Sequence, residues 1–174
     1  MEPVDLSRTL RGLEPAWLSA ARAFARSVRS TGAAGGPLLV VGTPDDEPWH
    51  LTAHLADAAR WGVAPGLRPV LVRHAVPVGA PAHLAVGLDA VHSAGRGSTV
   101  LVAAPTAVDD ALLERLDDAR RGGAGLLALH AGDRPLADLA HEALVLPGLG
   151  GLDTATHVLT AAEQRRRRIL LRRR

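Results

Sequence analysis

The sequence has no cysteine, no lysine, no tyrosine and a single phenylalanine. Without cysteine, disulfides and thiolate metal sites are excluded, and the chain carries no signal of redox compartment. No apolar run reaches the roughly 18 to 20 residues of a membrane span. The N-terminus is acidic and lacks the charged-then-apolar pattern of a secretory leader, so the cytoplasm is the expected location. With aromatics at 2% of residues, the core must be built from small aliphatic side chains, Trp17, Trp49 and Trp61 being exceptions. The missing lysines make every one of the twenty basic residues an arginine. Alongside abundant alanine and glycine, this is the mark of a coding bias rather than of a binding adaptation.

A chain of 174 residues that is 47% hydrophobic can bury one real core, which predicts one domain, residues 1–164, followed by an Arg-rich tail, residues 165–174. The tail, Arg165 to Arg174, holds seven arginines and no acid, leaving 13 arginines against 18 acids in the rest, a net of −5. The basic balance therefore belongs to the tail alone. Such an end can contact RNA, DNA or an anionic membrane. The plainer reading is a solvated terminus that favours the negative pole of its own helix, and no aromatics are interleaved for single-strand stacking.

Apolar residues at helical spacing predict a first helix from Leu13 to Arg29. Leu38 to Val41 reads as a strand buried on both faces, and a helix follows from about Pro48 to Trp61. Further strands are predicted at Pro69–Val72, Thr99–Ala103, Gly125–Leu129 and Ala143–Leu146. Helices are predicted at Ala82–Ala94, Val108–Arg121, Leu136–Ala140 and from about Asp153, whose stripe Ala155, Val158, Leu159, Ala162 continues to Ile169 and Leu170. Strands alternating with helices imply an α/β fold, a doubly wound, parallel five-stranded sheet flanked by helices. In such sheets ligands sit at the carboxyl ends of the strands and phosphates at helix N-termini. The first such loop carries Asp45, Asp46 and Glu47, three acids that repel a phosphate, and lacks the glycines that let a backbone wrap one.

Four segments carry a resemblance to a known family: Gly35-Gly36-x-Leu-Leu-Val-Val-Gly42; the helix Leu51-Thr-Ala-His-Leu-Ala-Asp-Ala58; Leu136-Ala-Asp-Leu-Ala-x-x-x-Leu-x-Leu-Pro147; and the last helix with His157. Together they resemble the sugar isomerase (SIS) domain proteins, and among these the phosphoheptose (sedoheptulose 7-phosphate) isomerases, over roughly Leu13 to Gln164. The resemblance implies a flavodoxin-like architecture, assembly into a dimer or tetramer, and a sugar-phosphate ligand. It places the family's first phosphate loop, Gly-Asn-Gly-Gly-Ser, on Gly42-Thr43-Pro44-Asp45-Asp46, and its second, Ser-Thr-Ser-Gly-Asn-Ser, on Ala104-Pro105-Thr106-Ala107-Val108-Asp109. Gly42, Thr43, Asp45, Asp46, Thr106 and Asp109 are thereby the ligand-facing candidates. Hydroxyls and free amides are what hold a phosphate, and a nearby carboxylate opposes it.

The catalytic positions thin out as well. The family's His followed four residues later by Glu falls on His54 and Ala58, and its terminal Gln-Glu-x-His run and later His fall on Thr154-Ala155-Thr156-His157 and Ala162. Aldose–ketose isomerisation needs a carboxylate or imidazole within hydrogen-bond reach of the substrate, and neither alanine supplies one. The expectation is a degenerate domain that keeps the fold and acts as a sugar-phosphate-related binding or scaffolding module. The competing expectation is an active isomerase, with or without an assisting metal, using His54 and His157 as catalytic residues, and a shifted register would give Asp57 or Glu47 a role. Independently of any family, His50, His54 and Asp57 stand at i, i+4 and i+7 on one helical face, a donor set suited to zinc. His157 joins the same cleft if the family's topology holds. His74, His83, His92, His130 and His141 are expected to be partly buried and structural.

Overall fold

The computed structural model describes residues 14–148 and 151–161. Its elements, in chain order, are α1 (Pro15–Ser30), β1 (Leu38–Val41), α2 (Trp49–Arg60), β2 (Pro69–Val72), α3 (Asp89–His92), β3 (Thr99–Ala104), α4 (Asp110–Arg121), β4 (Gly125–His130), α5 (Arg134–Leu139), β5 (Glu142–Val145) and α6 (Gly151–Ala161). Short 3₁₀ turns at Thr31–Ala34 and Ala82–Leu84 complete the path. All strand pairs are parallel, in the order β2-β1-β3-β4-β5. This is the 2-1-3-4-5 doubly wound order, whose direction reverses between β1 and β3.

Each strand feeds two cores, because successive side chains point to opposite faces. Leu38 and Val40 join Leu101, Ala103, Leu127 and Leu129 beneath α1, α2 and α6. Leu39 and Val41 join Val100, Val102, Leu126 and Ala128 beneath α3, α4 and α5. The predicted small-aliphatic core is what forms, with Phe24 as its one buried phenyl ring. Helix ends follow local chemistry: Pro15 opens α1, and the carboxylates of Asp109 and Asp133 cap α4 and α5 by accepting from Leu112 N and Leu136 N.

One predicted element does not form as expected. The helix at Ala82–Ala94 is replaced by the turn Ala82–Leu84 and the four-residue α3. Between them the backbone runs beside the end of β2, where Arg73 N–H donates to Val86 O at 2.9 Å and Arg73 bridges to Gly87 in parallel fashion. Those peptide groups serve the sheet and cannot serve a helix. The terminal stripe is present as far as Ala155 and Leu159, both buried. Ala162, Ile169, Leu170 and the arginine tail lie outside the described residues. Among the described residues no helix is long and apolar enough to cross a membrane.

Candidate functional site

The reversal between β1 and β3 makes the crevice above their carboxyl ends the place to look. After β1 the chain turns tightly: Asp46 N–H donates to Thr43 O at 3.1 Å, and Thr43 and Asp46 form a local antiparallel bridge. Gly42 is required there, since a Cβ would collide with the Asp46 carbonyl oxygen. Its own carbonyl accepts from His74 Nε2 at 2.8 Å. Thr43 is buried, 2% exposed, and its hydroxyl accepts from Thr106 Oγ1 at 3.4 Å across the crevice. Asp45 and Asp46 are exposed. Glu47 turns inward instead: its carboxylate accepts from Arg73 Nε at 3.1 and 3.3 Å and from Trp49 Nε1 at 2.9 Å. Of the three acids, two face solvent and one is held by a cation, which itself lies 4.9 Å from the Trp49 ring centroid.

The loop after β3 is occupied by the protein's own carboxylates. Val108 N–H donates to Asp133 Oδ2 at 2.8 Å, and Leu112 N–H to Asp109 Oδ1 at 2.7 Å. Asp133 reaches over from the end of β4, where its other oxygen accepts from Leu136 N–H at 3.0 Å. Two amides that could have met an anion, those of Val108 and Leu112, are thus satisfied internally. Of the six ligand-facing candidates, Gly42, Thr43 and Thr106 meet at the crevice, Asp45 and Asp46 form its exposed rim, and Asp109 is a helix cap. Asp133, Arg73 and Trp49 are not among the residues to which the sequence assigns a site role. Only Asp133 had a local signal, the Asp-Arg-Pro that announces a capped helix start.

The histidines gather on the α1/α2/α6 side. His50 and His54 sit one turn apart on α2, and α6, packed along α2, brings His157 to them. Their nearest ring nitrogens, His50 Nε2 and His54 Nε2, are 2.7 Å apart, a separation that holds one shared proton. Ring centroids are 4.6 Å (His50–His54), 5.2 Å (His54–His157) and 5.4 Å (His50–His157) apart. One donor atom from each of the three lies within 4.8 Å of the others. Asp57, the third member of the expected set, is not in that group. It acts on His54 only at a distance: burial first, then His50 and His157, hold His54 below the usual histidine pKa, and Asp57 weakly opposes them. Asp153, on α6, contacts His50 from the far side, Oδ1 to Nδ1 at 3.3 Å.

The remaining histidines divide. His130 is buried, and its Nδ1 accepts from Gly132 N–H at 3.2 Å, while His74 is half-buried against Gly42. His83, His92 and His141 are exposed, contrary to the expectation of partial burial. His141 is still structural, accepting from Leu126 N–H at 2.9 Å.

No protein-family model and no curated protein matches the chain. Solved structures share its fold. The sugar isomerase domain of an RpiR transcription factor from Sphaerobacter thermophilus superposes with a TM-score of 0.54 at 18% identity, covering 97% of this chain and 90% of that one. A protein of Silicibacter pomeroyi described as a phosphosugar isomerase gives 0.52 at 14% identity, covering 91% of this chain and 46% of its own. The Vibrio vulnificus NanR protein, in complex with ManNAc-6P, gives 0.52 at 11% identity, covering 90% and 55%. The chain thus spans about half the length of the last two. The fold is that of the SIS domain; the narrower likeness to phosphoheptose isomerases is not established by these neighbours.

Proposed function

We propose that the chain is a phosphoheptose isomerase-like SIS module that has lost isomerase chemistry and works as a receptor for a sugar-phosphate-related ligand or as a scaffold. The observation that carries this is the Asp133 carboxylate seated on the Val108 amide, where an incoming phosphate would need a free donor. Asp45 and Asp46 on the opposite rim add like charge, and a carboxylate a few Å from a phosphate opposes it by several kcal/mol, about 4 at 4 Å in a surface-like dielectric. Ala58 contributes no proton-transfer group to the α2 face. A transcription factor's sugar isomerase domain shares the fold, so the scaffold is compatible with sensing rather than turnover. The crevice is expected to be completed by self-association into a dimer or tetramer in the cytoplasm, which light scattering on the purified chain will test.

The second reading is an active sugar-phosphate isomerase, favoured by the meeting of His54 and His157 in one cluster. The two readings separate in one assay. Purified protein is incubated with sedoheptulose 7-phosphate and product is followed by chromatography, with inorganic phosphate binding measured in parallel by calorimetry. The non-catalytic reading expects no turnover, and with the Val108 amide occupied it expects no phosphate heat, so a receptor of this design holds its ligand through the sugar rather than the phosphate. Turnover that disappears in both His54→Ala and His157→Ala would establish the isomerase instead.

A further inference from the structure

Three imidazoles from two helices converge between α2 and α6. From this geometry we propose that His50, His54 and His157 form a three-histidine site for a zinc-class transition-metal ion, with Asp153 as the residue that orients His50. The proposal goes beyond the ligand-module reading and stands whether or not the chain isomerises anything.

The spacing suits an ion. Two nitrogens bound to one tetrahedral zinc at about 2.0–2.1 Å lie roughly 3.3 Å apart. His50 Nε2 and His54 Nε2 are at 2.7 Å, so seating an ion requires them to separate by about 0.6 Å, within the reach of side-chain rotations. All three donor atoms already fall within a 4.8 Å group. Helical geometry explains the first pair, since residues four apart stack on one face. The third donor arrives because α6 docks on α2 through the shared core of Leu51, Leu55, Ala155 and Leu159.

The orientation of His50 is a separate observation in favour. Metal-bound histidines characteristically give their other nitrogen to a carboxylate or carbonyl, which fixes the ring and the tautomer. His50 presents Nδ1 to Asp153 at 3.3 Å and Nε2 to the cluster, the arrangement that leaves Nε2 as the ligand. Asp153 and His157 are themselves one turn apart on α6, so a single helical face supplies both a ligand and the orienting carboxylate.

Donor chemistry narrows the ion. Imidazoles suit zinc, copper, nickel and iron, whereas magnesium and calcium demand oxygen ligands that this cluster lacks. Three protein ligands are one fewer than a closed structural zinc site and equal to the number in sites that keep an exchangeable position. With His50 exposed and His54 and His157 half-buried, the fourth position is open to water or to a hydroxyl or carboxylate of a small ligand. Asp57 has no place in this set.

The test uses the full chain, stripped with a chelator and dialysed. Zn²⁺ is titrated by calorimetry, and Co²⁺ is added separately as a spectroscopic probe. The expected result is one ion per chain and the intense visible bands of four-coordinate cobalt. His54→Gln and His157→Gln should each abolish stoichiometric binding, with circular dichroism showing that the fold persists. Asp153→Asn should weaken binding by about 10- to 100-fold while leaving the stoichiometry at one. Binding that is absent in the parent chain, or unchanged in both histidine variants, overturns the proposal. The second outcome would assign the ion to other exposed histidines. Neither outcome bears on sugar-phosphate turnover, so this site and the proposed function fail independently.

Discussion

Replacing Asp133 with alanine removes the side chain that ties the loop after β3 to the start of α5. Its Oδ1 caps α5 through Leu136 N–H at 3.0 Å, and its Oδ2 accepts from Val108 N–H at 2.8 Å. Loss of an N-cap to alanine costs about 1 kcal/mol. A hydrogen bond to a charged group contributes about 1.5–3 kcal/mol, and the half-exposed position of Asp133 favours the lower end. Val108 is itself buried, so its amide is not simply handed to water. The two contributions together predict a loss of about 2.5–4 kcal/mol. With a urea m-value of about 2 kcal/mol/M, the midpoint should fall by about 1–2 M. Asp133→Asn should fall by less, because asparagine caps as well as aspartate and the loss is confined to the Val108 bond. Urea denaturation followed by far-UV circular dichroism measures both variants. If Asp133→Ala shifts stability by less than about 0.5 kcal/mol, the range of an ordinary surface change, the carboxylate is not occupying the loop's donors and the account of the crevice fails with it.

Gly42→Ala should destabilise by about 1–3 kcal/mol, since its Cβ would strike the Asp46 carbonyl and come within 2.8 Å of Pro48 Cδ; a thermal melt unchanged from the parent would show that the turn yields freely. Trp17→Phe removes the indole donor that binds Val145 O at 2.7 Å on the edge strand β5, and should cost about 0.5–1.5 kcal/mol in urea unfolding, with no change contradicting that contact. The third concerns acid. His54 is held below the ordinary value of 6.5 by burial and by His50 and His157, so the unfolded chain takes up a proton there first. The resulting stability is complete above about pH 6.5 and is lost as pH falls through the folded value. In chelator, urea midpoints should decline from about pH 7 to about pH 5, and His54→Gln should flatten the decline; equal slopes in the two proteins would refute the assignment.

The sheet was legible because its strands announce themselves locally. Leu38–Val41 and Thr99–Ala103 are short apolar runs with turn residues beside them, and a strand buried on both faces has no other simple form. The segment 82–94 was misread because its composition tolerates a helix, while the backbone of Val86 and Gly87 is taken by the end of β2, a partner far away in the chain. The same distinction runs through the histidines. His50 and His54 lie four residues apart and are visible as a pair. Asp57 shares their face but stands two turns from His50 and falls outside the group of clustered donor atoms. His157 is more than a hundred residues away, and only the docking of α6 on α2 makes it a neighbour. Asp133 escaped for a similar reason, since its cap on α5 is local and its bond to Val108 spans the crevice.

The two candidate features rest on different physics, which explains how one can be lost while the other persists. A phosphate cradle depends on loop amides left free at the carboxyl ends of β1 and β3. Carboxylates such as those of Asp109 and Asp133 occupy two amides there without disturbing the sheet. The imidazole cluster depends instead on helix docking, with Leu51 and Leu55 of α2 and Ala155 and Leu159 of α6 committed to one core. Any pressure that preserves this core preserves the meeting of His50, His54 and His157, whatever becomes of the loops. Chemistry in this fold therefore need not sit where the strand order reverses. In this chain Gly42 O, the Thr43 hydroxyl, the Val108 amide and the Asp109 carboxylate at the reversal are engaged by the protein itself, and the clustered imidazoles stand on α2 and α6.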